Sequence, residues 1–237
     1  MDKRKRLISL SVKYHGEYNR IIKAIAENEE VLEYQYQKCL TIFDEDYPQT
    51  LRDLKYPPLV LFYKGNLELL KENSISVVGS RKPCDYALKA TKDLCLHYKD
   101  KVIVSGLAKG IDAAAHRYAT RTIGVIGCGI DYVYPYCNKD LYKKLEIEGL
   151  ILSEYPGMTK PLAYHFPFRN RIIAALSNTV YIMQSSQKSG TMSTINEALE
   201  LGRDVKVLPY DIYSLEGEHN NHLINEGALM IEKEETV

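Results

Sequence analysis

Small residues, hydroxyls and fixed cations recur together at the ends of apolar runs in this sequence. Gly79-Ser80-Arg81 follows Ile75, Val77 and Val78, and Ser105-Gly106 with Lys109-Gly110 follows Val102, Ile103 and Val104. Ser189-Gly190-Thr191 stands directly before a helical stretch. The chemistry these residue types suit is phosphate binding. Glycine lets a backbone come close, a helix start offers free N–H groups, and a guanidinium fork matches phosphate oxygens. The same residues also make plain tight turns between strand and helix, so alone they leave both readings open.

Phe166-Pro167-Phe168-Arg169-Asn170-Arg171 adds aromatic rings beside cations. That pairing suits a stacked base with its phosphates neutralised. Core packing of the rings and surface ion pairing of the arginines are the alternatives. A helix read as beginning at Asn170 puts Arg169 and Arg171 where the dipole disfavours cations, which makes mere surface pairing less comfortable.

Other chemistries find no matching pattern. The first turn, GSRKPC, is not GxGxxG, and Ser105 rather than an acid ends the second strand. Gly106-Leu107-Ala108-Lys109-Gly110 has neither Walker A spacing nor a Lys-Ser/Thr pair. His165, His219 and His222 lack HExxH spacing, and the five cysteines form no CxxC pair, so no metal or cofactor is expected. Asp112 reads as a helix-start carboxylate that fixes the SGLAKG turn, and His116 as an ordinary helix histidine. Glu154 and Glu197 remain as candidate acids or bases. No catalytic set emerges.

The elements that must position these residues alternate along the chain. Strands are expected at residues 75–78, 102–104, 122–126, 150–152, 180–183 and 205–208. Between them lie helices around residues 87–96, 112–119, 139–146, 170–176 and 191–201. This alternation predicts an α/β fold, a largely parallel sheet with helices on both faces. Gly79, Ser105, Gly127, Ser153, Ser185 and Pro209 then share the rim beyond the carboxyl ends of the strands, where such folds bind ligands. Leu59 to Tyr63, entered through Pro57-Pro58, predicts a further strand at a sheet edge. Residues 1–40 read as a small helical N-terminal appendage, with 41–237 as the main domain. After Ser214, a short helix and a short apolar strand are expected.

With 237 residues and 45% hydrophobic content, the chain can bury one sizeable α/β core. Formal net charge is zero, which does not favour a broadly basic nucleic-acid binder but leaves a local basic groove open. Unpatterned cysteines fit a reducing cytoplasm, and no apolar span suggests a signal peptide or membrane segment.

In order, GSRKP, SGLAKGIDAAAH, GCGIDYVYP, LSEYP, FPFRNRIIAALS, SGTMSTINEALELGRDV and HLINEGA resemble the motif series of the DNA-processing protein A family, also called Smf. The resemblance covers roughly Thr41 to Ile231. It implies an extended Rossmann fold that binds single-stranded DNA without being an enzyme. It also implies loading of RecA recombinase during natural transformation, displacement of single-strand binding protein, and a homodimer formed through the C-terminal part. By position it assigns DNA contact to Gly79, Ser80 and Arg81, to Ser105, Gly106 and Lys109, to Phe166, Arg169, Asn170 and Arg171, and to Ser189, Gly190 and Thr191. This chain departs from the pattern at Ala87, Gln184 and Tyr210. Tyr136 stands where some members carry a DNA-binding lysine, leaving Lys139 as the nearest cation. The N-terminal segment is shorter than a full sterile-alpha-motif-like module, and no winged-helix module is expected after Val237.

A rival reading comes from Ser189-Gly190-Thr191 followed by Glu197. It is similar to the GGxGTxxE pattern of the lysine-decarboxylase-like nucleoside-5′-monophosphate phosphoribohydrolases, although the spacing to Glu197 is longer and Ser189 replaces the first glycine. A third reading is a sensor of free nucleotides that uses the same rim.

Overall fold

The apolar runs become strands and the amphipathic spans become helices in a computed structural model that describes residues 1–36, 38–187 and 189–236. The strands are β1 (Cys39–Thr41), β2 (Val60–Gly65), β3 (Ser74–Val78), β4 (Val102–Ser105), β5 (Arg121–Ile126), β6 (Leu150–Ser153), β7 (Thr179–Ile182), β8 (Asp204–Val207) and β9 (Leu229–Met230). The helices are α1 (Lys3–Lys13), α2 (Tyr18–Ala26), α3 (Gln49–Arg52), α4 (Asp85–His97), α5 (Ile111–Tyr118), α6 (Lys139–Glu148), α7 (His165–Ala175), α8 (Thr191–Glu200) and α9 (Glu218–Asn225).

Among the described residues the strands form one sheet, in the order β1-β2-β6-β5-β4-β3-β7-β8-β9. From β6 to β9 every pairing is parallel, whereas β1 with β2 and β2 with β6 are antiparallel. The expected α/β, mostly parallel architecture is thus present, and the strand read at Leu59 to Tyr63 lies near one edge, against β6.

Two-residue periodicity divides each strand between two cores. Val102, Val104, Val180 and Ile182 join Ile172 and Ile173 of α7 and Ile195 of α8. Ile103, Val77 and Tyr181 face the other way, toward Ala87 and Leu94 of α4 and Ile111 of α5. Further along, Val60, Phe62 and Ile151 meet Leu141 and Leu145 of α6 and Leu7 and Leu10 of α1. Each such fully buried side chain contributes roughly 1.5–3 kcal/mol relative to exposure. The N-terminal helices therefore share a core with the sheet, and β1 begins at Cys39, two residues ahead of the boundary read from sequence. Within the segment 1–40 expected to be helical, Val31 and Leu32 lie beyond α2 in non-helical chain.

A buried carboxylate fastens the C-terminal turn. Glu235 accepts hydrogen bonds from Tyr98 (2.7 Å), Tyr181 (2.8 Å) and Lys206 Nζ (2.8 Å). Burial alone would raise its pKa, but these donors prevail and pull it from 4.5 down to about 2. A lowered carboxylate pKa stabilises the fold above the unfolded value, and that stability is lost as pH falls from about 4.5 towards 2. Glu235→Gln is expected to lower the melting temperature at pH 7, with the gap to wild type closing towards pH 3. Thermal melts across that range check it.

Candidate nucleic-acid interface

The strand order reverses at β3: β4 continues on one side, while β7, a hundred residues later, takes the other. Loops leaving adjacent strands diverge there and open a crevice at the carboxyl ends. A cleft of about 1110 Å³ occupies that place, lined by Gly79, Ser80 and Arg81 after β3 and by Gln184 to Gln187 and Ser189 to Thr191 after β7. Phe166 and Asn170 of α7 form a wall. Helix α8 starts at the cleft with no side chain capping its N-terminus among the described residues, so its first N–H groups and dipole favour an anion.

Arg81 is exposed, and its guanidinium carbon lies 5.7 Å from the centre of the Phe166 ring. Tyr134 lies against the same phenyl ring, centroids 5.7 Å apart. Gly127 supplies the floor, since a Cβ there would sit 3.0 Å from the Phe166 ring. A partly exposed ring beside a cation that makes no ion pair among the described residues has the geometry that suits a base next to its phosphate.

The SGLAKG turn packs directly on this loop. Ile111 N donates to Ser80 O (3.1 Å), and Gly110, at φ +75°, passes so close to the Ser80 and Arg81 backbone that no side chain fits. Lys109 is thereby carried, exposed and without an ion-pair partner among the described residues, alongside the Arg81 loop. Asn138 occupies the cap position of α6 but sends its amide across to Leu107 O (3.0 Å) and Ala108 O (2.9 Å). It ties the start of α6, and with it exposed Lys139, to the same turn. Lys139 lies 5.4 Å over the Tyr136 ring and outside the cleft lining.

Other residues read as contacts are interior supports. Ser105 is fully buried and donates to Val77 O (2.6 Å). Helix α7 begins at His165 rather than Asn170, so Arg169 and Arg171 lie within it and point into the protein. Arg169, 5% exposed, donates to Gly106 O (2.8 Å) and to Val125 O. Arg171, 2% exposed, forms a bidentate pair with buried Glu154 at 2.6 and 2.7 Å. The resemblance assigns DNA contact to these two positions, but both guanidinium groups are buried and engaged within the protein. Asn170 lines the cleft, yet its amide donates to Gly190 O (3.1 Å) and Ser193 Oγ (2.7 Å), which clamps the α8 start in place. Phe168 faces away from Phe166 and covers Arg171, 3.7 Å from ring centre to guanidinium carbon.

Asp112 behaves as the sequence suggested, accepting from Ala108 N (3.3 Å) within the turn. Burial pushes its carboxyl up, against the pull of the neighbouring Arg169 guanidinium. Gly106 makes room for both: a Cβ there would lie 2.5 Å from Asp112 Oδ2 and 2.7 Å from the Arg169 nitrogens. Those atoms are pinned and cannot step aside. Gly106→Ala is expected to cost about 1–3 kcal/mol. Gly190→Ala, where nothing lies within 4 Å, should leave thermal stability unchanged. Parallel melting curves test the contrast.

Some lining residues escaped the sequence reading. Tyr134 belongs to the GIDYVYP turn. His219 and His222, which lack metal-site spacing, share one face of α9 and line the far side of the cleft with Glu216 and Glu218. Their i, i+3 spacing was the available signal. Gln184 bridges the walls by accepting from Cys84 N (2.9 Å). His116 is buried against Thr122 Oγ1 (2.6 Å), and burial pushes its pKa down to about 3, so it sits neutral. Glu197 does not line the cleft, so the hydrolase reading lacks its carboxylate there.

A mostly parallel sheet with a cleft at its switch point, lined by Arg81, Phe166 and the start of α8, defines an extended Rossmann-like protein. Residues 38–237 match the family model described as DNA recombination-mediator protein A, and the chain belongs to that family. It is 42% identical over 204 residues to DNA processing protein DprA of Streptococcus pneumoniae, spanning 84% of this chain and 72% of that one. It is 42% identical over 202 residues to protein Smf of Synechocystis, 81% of this chain and 51% of that one. The X-ray structure of the pneumococcal protein superposes with TM-score 0.80 at 35% identity, covering 97% of this chain and 90% of the other. A Helicobacter pylori DNA processing protein A structure, described for its single-stranded DNA binding mode, gives 0.76 at 33% identity, covering 84% and 93%.

Proposed function

We propose that the cleft binds single-stranded DNA and that the protein is a recombination mediator. It receives strands taken up in natural transformation, displaces single-strand binding protein and loads RecA recombinase in the cytoplasm. The observation that carries the reading is the Arg81–Phe166 pair facing the uncapped start of α8 across the switch-point cleft. Fixed donors bind the backbone and the ring takes a base, a combination tolerant of sequence. A neutral chain suffices because only the cleft rim needs to be positive. Gly79, Ser80, Arg81, Lys109, Phe166, Ser189, Gly190 and Thr191 are the proposed contacts, with Lys139 beside them.

Homodimerisation through the C-terminal part accords with the apolar side chains exposed there, Ile212, Tyr213, Leu215, Leu229 and Met230. Two joined clefts raise avidity on long strands. Binding titrations on single-stranded oligonucleotide, duplex and a mononucleotide test the function. Preference for the single strand is expected. Tight mononucleotide binding with none to the oligonucleotide, or release of free base from AMP, would replace it with one of the rival readings.

A further inference from the structure

A second groove of about 770 Å³ lies between the N-terminal helix pair and residues 156–165. Its walls carry Tyr14, Tyr34, Tyr36 and Tyr164, together with Arg20 and Lys160. Both cations are exposed, and neither makes an ion pair among the described residues; Arg20 lies 4.6 Å over the Tyr14 ring. Among the described residues the one carboxylate in the lining, Glu17, accepts from Tyr164 OH (2.7 Å) and faces His165 Nε2 (3.1 Å). Just behind the Tyr14 wall, Glu29 is held by Lys13 and the Tyr14 hydroxyl. Arg20 and Lys160 outnumber Glu17 in the lining, so the balance of charge there is positive.

The groove is also greasy. Met158, Leu162, Tyr164 and Tyr34 are each about half exposed or more. Such a patch is a recognition surface rather than ordinary solvated exterior. Its neighbour identifies the occupant. Along the segment 160–164, Lys160, Leu162 and Tyr164 line this groove, while the alternate residues Pro161 and Ala163 line the switch-point cleft. A crest one chain segment thick thus separates the two depressions.

We infer that this groove is a second subsite for the same polynucleotide. Resting on the proposed function of the cleft, the strand crosses the crest and sets further bases on Tyr34 and Tyr164. Arg20 and Lys160 neutralise its phosphates. Cations interleaved with rings suit an unpaired strand better than a peptide, which would need acidic side chains to match the same surface.

Fluorescence anisotropy with oligo-dT of about 6 and about 20 nucleotides, compared among wild type, the Arg20→Glu/Lys160→Glu double variant and Arg81→Ala, tests this. Both groove cations are exposed, and matching melting curves will confirm the fold. The double variant should lose about tenfold on the long strand and less than about twofold on the short one, whereas Arg81→Ala should lose on both. In the long strand, 5-iododeoxyuridine should crosslink on irradiation to the peptides bearing Tyr34 or Tyr164. An unchanged affinity of the double variant for both lengths would overturn the inference and leave the groove to a protein partner, with the cleft reading intact. Crosslinks confined to the Arg81 and Phe166 peptides would do the same. No binding of either length by the wild type would sink the cleft reading first, and this inference with it.

Discussion

Arg81→Ala is expected to weaken single-stranded DNA binding about 10- to 100-fold, whatever the base sequence. The arginine is exposed at the cleft mouth, makes no ion pair among the described residues, and sits beside Phe166, where the proposed function places a base and its phosphate. A charge-assisted hydrogen bond to phosphate is worth roughly 1.5–3 kcal/mol, which sets the range. Loss of one phosphate contact should also reduce the salt slope of the binding constant by about one. Thermal stability should not move, because Arg81 supports nothing in the interior. Anisotropy titrations at several salt concentrations read all of this, and equal affinity for wild type and variant would remove Arg81 from the interface.

Arg171→Ala should fail differently. The substitution leaves Glu154, 5% exposed, with no counter-charge and removes the donor to Tyr56 O (2.8 Å). Breaking a buried pair from one side costs about 3–5 kcal/mol. For a domain of this size that is a fall in melting temperature on the order of 10 °C. Both arginines of the FPFRNR element look alike as DNA contacts in sequence, yet the structure predicts that Arg171 variants lose DNA binding only in step with folding. A variant melting like wild type but failing to bind DNA would show that the Glu154 pair is dispensable and the contact direct.

The contrast between Arg81 and Arg171 marks where sequence reading ran out. Strand-end glycines and hydroxyls were legible because period and punctuation fix where each strand stops, and the parallel topology then gathers those ends on one rim. The cleft-forming loops after β3 and β7 were found this way. The start of α7 was not. The sequence places the helix at residues 170–176, and Pro167 offers no local sign of an earlier start. Pro167 instead occupies the third position of α7, in the first turn, where a missing N–H costs nothing. Starting five residues earlier turns the segment from a surface entry into a helix buried along most of its length, and it splits Phe166 from Phe168 onto different faces. Buried ion pairs such as Arg171 with Glu154 join residues 17 apart through tertiary packing alone. No local pattern announces them. The same holds for Asn138, whose position spells a helix cap while its amide serves a neighbouring turn.

The most direct trial of the central claim is a structure of the protein with a short oligo-dT bound. The account predicts phosphates beside Arg81 and at the start of α8, with one base against Phe166. A strand bound elsewhere on the molecule, with that cleft empty, would contradict it.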